Sequence, residues 1–560
     1  MHRSSHATWP LLRLLTLVIL LSSCIQPAQP VTTPDRPLLT PTAASIAPTP
    51  TPAVTPTPAA APASRPNILF IVADDLDAAS VSAMPQVQAL LRGQGLTFTQ
   101  AFVTNSVCCP SRTTFLRGQY THSHHIYTNR APDGGFELVY QLGLEQSTVA
   151  TWLHDAGYRT ALFGKYLNNY PETASETYVP PGWDEWYATV RNGPYQFFDY
   201  DLNENGAIVH HGTAPEDYLT DVLGRQATNF ITRSVALAQE MPQGAPFFVY
   251  LAPYAPHKPS TPAPRHARLF ANVQAPQGPS FDEEDVSDKP AWVSTRRRLN
   301  RSDLAEIDRE YRNRLRSLQA VDEMVASLIG ALQASGAISN TYLFFTSDNG
   351  YHQGQHRLPA GKTTAYEEDI RVPLFVIGPG VPVGASRAHL TLNTDLAPTF
   401  AALAGAVPPD FVEGRSLLPL LASDPPAVED WRACVLIEHK TLEIGDPPTY
   451  EALRTPQFLY VEYTTGEHEF YDLILDPYEL ENRYASADVG LLRGLHQQLS
   501  ALRQCQGAAC GPLEDAPLLA QSWYFPVIAS QQTGKLPSQA AWVNLGPLRA
   551  SKQIWLGELE

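Results

Sequence analysis

Cysteine is scarce in this chain, with six in 560 residues. That is too few for a disulfide-built scaffold, so an ordinary hydrophobic core must hold the fold. Positive charge is also short: 39 Lys and Arg face 56 Asp and Glu, a formal net charge of −17. This argues against general nucleic-acid binding, which wants a basic face; a polyanionic ligand would need a local positive site. A membrane-spanning run is missing near the start, where the apolar stretch 14–21 is too short to cross a bilayer comfortably. What is present is 44% hydrophobic residues over a length that allows two to four domains.

The beginning reads as an export signal. His2, Arg3 and Arg13 precede the apolar run, which ends in Leu21-Ser22-Ser23-Cys24. Small residues before a cysteine resemble a bacterial lipobox, in which Cys24 carries a lipid and opens the mature chain; a plain secretory signal cleaved elsewhere is the alternative. Either takes the protein out of the cytoplasm. Residues 25–65 are dominated by Pro, Thr and Ala, with repeats such as Thr49-Pro50-Thr51-Pro52. Such a segment cannot bury enough apolar surface to fold and predicts an extended tether holding the body away from a membrane. Cys505 and Cys510 are spaced to close a small disulfide loop in an oxidising compartment, with no His or further Cys nearby to make a metal site.

Continuous apolar runs mark strands buried on both faces of a parallel sheet. Residues 68–73 (ILFIVA) end abruptly in Asp74-Asp75, and residues 341–346 (TYLFFT) run into Ser347-Asp348-Asn349-Gly350. Residues 246–251 lead to His257, and 374–377 form a further core strand. Open α/β sheets bind ligands beyond the C-terminal ends of their strands. Either acidic pair alone fits a turn or helix cap. Together, Asp74, Asp75, Asp348 and Asn349 can offer four oxygens to one hard cation, suiting Ca²⁺ with Mg²⁺ as competitor.

The stretch 106–118 (SVCCPSRTTFLRG) organises the rest. Pro110 is tolerated in a first helical turn, so Cys108 stands at a helix N-terminus, where free N–H groups favour an anion, with Arg112 one turn along. A buried cysteine pair or a disulfide is the plainer reading. Yet Cys108, Pro110, Ser111 and Arg112 resemble the signature of the type I sulfatases. In that family a formylglycine-generating enzyme oxidises the cysteine to formylglycine, whose hydrate is the nucleophile. Since Pro stands two places after the modified residue, the resemblance selects Cys108 and not Cys109. It also implies a divalent cation, usually calcium, at Asp74, Asp75, residue 108, Asp348 and Asn349.

Other stretches resemble the family in order. Residues 157–166 look like the second signature, whose lysine, here Lys165, contacts sulfate. Many relatives have His two places later, but Leu167 stands here, leaving His122 or His124 as substitutes for the base of the elimination step. His122, His124 and His125 lack a fourth ligand at zinc spacing and read as a loop near the site. His257 matches a sulfate-contacting histidine that could protonate the leaving alcohol, and Lys362 a sulfate-binding lysine. Arg112, Lys165 and Lys362 would balance the charge of the sulfuryl group.

Residues 296–316 are dense in arginine, but Leu304, Ile307, Tyr311, Leu315 and Leu318 keep helical spacing. That predicts an amphipathic helix with a solvated charged face, sulfated-glycan docking being the second reading.

The resemblance is nearest to the N-acetylglucosamine-6-sulfatase and extracellular endosulfatase branch, through Cys108-Cys109-Pro110-Ser111-Arg112, Phe163-Gly164-Lys165-Tyr166-Leu167-Asn168, Pro180-Pro181-Gly182-Trp183 and Asp369-Ile370-Arg371-Val372-Pro373. One departure is Asn349, where that branch usually has His. The resemblance implies an alkaline-phosphatase-like α/β fold: a mixed, mostly parallel sheet sandwiched by helices, with a small C-terminal antiparallel sheet. The expected divisions are a signal at 1–24, a tether at 25–65, a catalytic domain at 66–424, a C-terminal subdomain at 425–511 and an extension at 512–560. The expected function is hydrolysis of a sulfuric ester on a sulfated carbohydrate, such as 6-O-sulfated N-acetylglucosamine. The alternatives are a phosphate or phosphonate ester hydrolase and a non-catalytic, lipid-anchored glycan-binding protein.

Overall fold

A computed structural model describes residues 65–190, 194–240, 244–442 and 445–517. The export signal, Cys24, most of the tether and the chain after residue 517 lie outside the described residues.

The apolar runs do form the centre of the sheet. Asn67–Ala73 pairs in parallel with Phe247–Ala252 on one side and Thr341–Ser347 on the other. The ten strands stand in the order Ala385–Arg387, Leu96–Phe98, Leu374–Ile377, Thr341–Ser347, Asn67–Ala73, Phe247–Ala252, Arg159–Gly164, Glu185–Val190, Tyr200–Glu204 and Ala207–His211. The middle run from Thr341–Ser347 to Glu185–Val190 is parallel, while Leu374–Ile377 and the hairpin at the far edge run antiparallel.

Two-residue alternation divides the central strand between two cores. Leu69, Ile71 and Ala73 face helices Leu219–Glu240 and Arg301–Ala334, packing with Val222, Phe230, Leu318 and Val321. Ile68, Phe70 and Val72 face the opposite layer, with Phe115 of helix Cys108–Arg117 and Phe400 of helix Leu396–Ala404. A strand covered on both faces has no polar side to offer, which is why its sequence reads as an unbroken apolar run. Full burial of each such side chain stabilises by about 1.5–3 kcal/mol.

The arginine-rich segment is largely helix, starting at Arg301 behind the N-cap Asn300, whose side chain accepts from the Ser302 and Asp303 N–H groups. Among the described residues, no helix is long and apolar enough to cross a membrane.

A four-stranded antiparallel sheet, Val435–His439, Tyr450–Arg454, Phe458–Tyr463 and His468–Asp472, follows. Leu495, Leu499 and Leu502 of helix Val489–Leu502 cover it, and its core takes in Leu358, Tyr366 and Ile370 from the loop after Thr341–Ser347. Buried Arg432 clasps the pieces, donating to both Asp395 oxygens at 2.8 Å and to Glu514 at 2.8 Å. Cys505 and Cys510 form the disulfide.

Candidate active site

The site forms where three parallel strands end. Asp74 and Asp75 leave the central strand directly, and Asp75 takes a left-handed backbone, φ 65°, a conformation that costs a non-glycine residue roughly 1–2 kcal/mol. The neighbouring strand end holds it there. The Asp75 N–H donates to Asp348 Oδ1 at 3.0 Å, Asn349 Nδ2 to Asp75 Oδ1 at 2.8 Å, and the Leu76 N–H to Ser347 Oγ at 2.8 Å. Gly350 is required by crowding, since a Cβ there would lie 2.0 Å from the Glu368 carbonyl.

Cys108 is the first residue of its helix and 1% exposed. Its Sγ lies 3.6 Å from Asp74 Oδ1, 4.0 Å from Asp75 Oδ1 and 2.6 Å from Lys362 Nζ. Cys109 points the other way, into the core beside Phe115 and Phe136, with its N–H on Asn129 Oδ1 at 2.8 Å. One helical step of about 100° separates the two thiols and gives them different surroundings.

Lys165 arrives through Gly164, φ 106°, where a Cβ would meet the Ala252 carbonyl at 2.1 Å. Its ammonium then pairs with Asp74 Oδ2 at 2.6 Å. Lys362 bonds Asp75 Oδ1 and, at 3.3 Å, Asn349 Oδ1. His257 stands beyond the third strand, Nε2 3.6 Å from Asp75 Oδ2 and Nδ1 2.7 Å from the Lys258 carbonyl, against the Tyr195 ring.

Burial sets the protonation of these groups, opposed by their neighbours. It pushes the Cys108 thiol up to about 12 despite Lys165 and Lys362, so an unmodified thiol here stays protonated and is a poor nucleophile at neutral pH. It pulls His257 down to about 3 despite Asp75, leaving the imidazole neutral. Burial works against ionisation of Asp75, but Lys362, His257 and Lys165 hold its carboxyl far below the usual range.

Asp74, Asp75, Cys108, Lys165, His257 and Lys362 therefore lie together at the strand ends. Arg112 braces them from behind. Fully buried, its guanidinium donates to Asp348 Oδ2 at 2.8 Å and to the Lys165 carbonyl at 3.0 Å, and lies 3.8 Å from Asp74 Oδ1. It braces the acids, while its Nη2 is buried with no hydrogen-bond partner. His122 and His124 do not replace the histidine missing at Leu167. The His122 ring bonds Glu438 and the Cys505 carbonyl, and the His124 ring bonds Thr114 Oγ1 and the Ile126 N–H, so all four nitrogens are committed elsewhere.

Two residues escaped the sequence reading. His352, three places after Asn349, has Nδ1 2.9 Å from both Asp369 oxygens and lines the same cleft as Asp75, His257 and Lys362, a cavity of about 380 Å³. Arg314 was counted with the solvated arginines but is wholly buried, donating to the Asp75 carbonyl at 2.5 Å and to Asp77 Oδ2 at 3.0 Å. Its register was a usable signal: three residues after Tyr311 and four before Leu318, it falls on the apolar stripe.

Asp74, Asp75, Cys108 and His257 each offer a ligand atom within 4.8 Å of the others. Asn349 Oδ1 adds an amide oxygen through its contact with Lys362, and Asp348 stands behind, turned to Arg112 and the Asp75 N–H. Carboxylate and amide oxygens that already attract an ammonium make a donor set fitted to a hard divalent cation.

Comparison with known proteins agrees with this geometry. The family described as Sulfatase matches residues 66–406, and that described as N-sulphoglucosamine sulphohydrolase, C-terminal, matches residues 354–505. The N-acetylglucosamine-6-sulfatase of Capra hircus is 33% identical over 484 residues, covering 80% of this chain and 85% of the relative. The putative extracellular sulfatase Sulf-1 homolog of Caenorhabditis elegans is 37% identical over 384 residues, 67% of this chain; the match spans only 52% of that longer protein. In fold, the chain is similar to BT4656, solved in complex with its substrate D-glucosamine-2-N,6-O-disulfate. That likeness has a TM-score of 0.65 and 24% identity, covering 78% of this chain and 97% of the other.

Proposed function

The chain belongs to the sulfatase family, whose members hydrolyse sulfuric esters, and we propose that it removes sulfate from a sulfated carbohydrate, with 6-O-sulfated N-acetylglucosamine as the leading candidate. The observation that carries this reading is the convergence on Cys108, at the first turn of its helix, of two strand-end carboxylates and the Lys362 ammonium. The sugar comes from the relatives: an N-acetylglucosamine-6-sulfatase aligns over 80% of this chain. Lys258 and Arg296 line the cleft beside Lys440, which pairs with Asp133, and offer local positive charge to an anionic glycan despite the acidic chain as a whole.

Conversion of Cys108 to formylglycine by a generating enzyme would supply an aldehyde hydrate as nucleophile, which a thiol held protonated at about 12 does not. A calcium ion, or magnesium, held by Asp74, Asp75, residue 108, Asp348 and Asn349 would supply Lewis-acid polarisation of oxygen. Lys165 and Lys362 keep their charge through Asp74 and Asp75 and stabilise negative charge on the sulfuryl oxygens. Neutral His257 would gain its proton as the anionic ester enters beside it, and then protonate the departing alcohol. His352, oriented by Asp369, takes the base role for the elimination step in place of the histidine absent at Leu167. Export is part of the proposal, with a lipid on Cys24 as anchor; the Cys505–Cys510 disulfide is consistent with an oxidising compartment.

The test is the mass of the tryptic peptide containing residue 108, from protein made together with a formylglycine-generating enzyme, followed by turnover on sulfate and phosphate esters. Aldehyde at 108 and a preference for sulfate are expected. An unmodified thiol despite an active partner would overturn the mechanism and favour a binding role; a preference for phosphorus would favour the phosphate or phosphonate alternative.

A further inference from the structure

A second convergence of ligand-type side chains lies outside the catalytic residues. His356 comes from the loop after Thr341–Ser347, Glu368 from the short helix Glu367–Ile370, and Glu479 from the segment between the last strand and helix Val489–Leu502. One ligand atom from each lies within 4.8 Å of the others. His356 is 0% exposed and Glu479 1%.

Each of the three is anchored by one atom. His356 Nδ1 is 2.6 Å from Glu283 Oε2, Glu479 Oε2 accepts from the Glu367 N–H at 3.1 Å, and Glu368 Oε1 accepts from Ser280 Oγ at 3.4 Å. The remaining atoms, His356 Nε2, Glu368 Oε2 and Glu479 Oε1, are buried with no hydrogen-bond partner. Leaving one buried polar atom unsatisfied costs about 1–3 kcal/mol, more for a charged group, and each of the three residues of this cluster carries one. In the tautomer that donates Nδ1–H to Glu283, Nε2 carries a lone pair, and with the two carboxyl groups ionised all three atoms act as Lewis bases. Lys289 does not fill the gap. Its ammonium is taken by the Glu479 carbonyl at 2.7 Å, the Leu480 carbonyl at 3.2 Å, Tyr471 OH at 3.3 Å and Glu283 at 3.5 Å. One proton can bridge two of the atoms; one cation satisfies all three.

We propose that His356, Glu368 and Glu479 bind a divalent transition-metal cation of the zinc class, with Glu283 orienting the imidazole behind it. One imidazole nitrogen and two carboxylates suit zinc, whereas calcium and magnesium prefer all-oxygen shells. A carboxylate behind a ligating histidine fixes its tautomer and orientation. Glu368 also lines a cavity of about 180 Å³ with Gln353 and Tyr478, which offers a way in and room for water as a fourth ligand. The site is structural. It ties the loop that carries His352 and Lys362 to the segment following the C-terminal sheet, with the His356 ring stacked on Tyr366.

The experiment uses full-chain Asp75→Asn protein, so that zinc binding at the catalytic carboxylates is reduced, stripped with chelator and titrated with Zn²⁺ alone. Metal content after dialysis and the melting temperature are the readouts. One retained equivalent and a zinc-dependent rise in Tm are expected. Adding His356→Gln or the isosteric Glu479→Gln should abolish both, and Glu283→Gln should weaken binding by about 10- to 100-fold. If those variants do not fold, Co²⁺ in an Asp75→Asn, Cys108→Ser, His257→Gln protein replaces them, so that the catalytic cluster offers no imidazole or thiolate, and a four-coordinate absorption band with an imidazole ligand supports the site. No retained metal, no cobalt band, or equal retention in the Glu479→Gln protein overturns the proposal. None of these readouts depends on sulfatase turnover, so the site stands or falls apart from the proposed activity.

Discussion

Lys362 Nζ stands 2.6 Å from Cys108 Sγ, although 254 residues of chain separate them. The contact is made by a loop folded back on itself: the His352 N–H donates to the Gly361 carbonyl at 2.8 Å, and the Gly361 N–H returns to His352 at 3.0 Å, delivering the next residue to the strand ends. The same ammonium meets Asp75 and Asn349, so a single charge touches Cys108 and two of the proposed cation ligands.

Removing that charge should cost catalysis more than folding. For Lys362→Ala, kcat on a sulfate ester is expected to fall by about 10²- to 10³-fold, as for loss of one preorganised donor to developing charge. Steady-state kinetics beside a melting curve would check it. An unchanged kcat would remove Lys362 from the reaction.

His257 should matter in proportion to how badly the leaving alcohol needs a proton. His257→Ala is expected to lower kcat on a sugar sulfate by about 10²- to 10⁴-fold, and much less on an aryl sulfate whose phenol leaves without protonation. A plot of rate against leaving-group pKa, for wild type and variant, is the measurement. Equal losses across the series would make His257 a positioning residue.

Arg314 is a buried cation braced against the Asp75 carbonyl and Asp77, over the Tyr351 ring. Arg314→Leu leaves Asp77 buried without its partner and should destabilise by about 3–5 kcal/mol. Lysine, a point charge without the planar fork, should rescue only part. Denaturant titration would decide; a change within about 0.5 kcal/mol, typical of an exposed substitution, would contradict the burial.

His122 gives the fold a pH-dependent clasp. Burial lowers its proton affinity, but Glu438 more than compensates and raises it from 6.5 to about 9. A raised folded-state value contributes stability in full below about 6.5, and loses it as pH rises through about 9. Wild type should therefore exceed His122→Gln in stability by up to about 3 kcal/mol at mildly acidic pH, and the gap should close above about 9. Thermal melts of both proteins across that range would reveal a constant gap if the pair carried no charge.

Legibility followed how local the signal was. The run 68–73 announced a two-face-buried strand because both of its alternating faces had to be apolar, and it begins one residue earlier than the run itself, at Asn67. The family resemblance separates Cys108 from Cys109 through the position of Pro110; in the structure Cys108 lies beside Asp74 and Cys109 in the apolar core. The signature motif points to Arg112, and nearness in sequence to Cys108 points to His122 and His124. Their actual partners, Asp348, Glu438 and Thr114, lie at separations of 236, 316 and 10 residues, and no local pattern reports which way a side chain turns.

The sequence by itself determined the strands, the helix that presents Cys108, the acids at the strand ends and the family, because each is written in periodicity or in a short contiguous motif. Tertiary structure alone decided which charges meet. The coupling of Lys362 to Cys108, the burial of Arg314 and the gathering of His356, Glu368 and Glu479 all arise from packing between distant segments. Coulomb energy and desolvation depend on distance in space and on exclusion of water, and neither is set by distance along the chain.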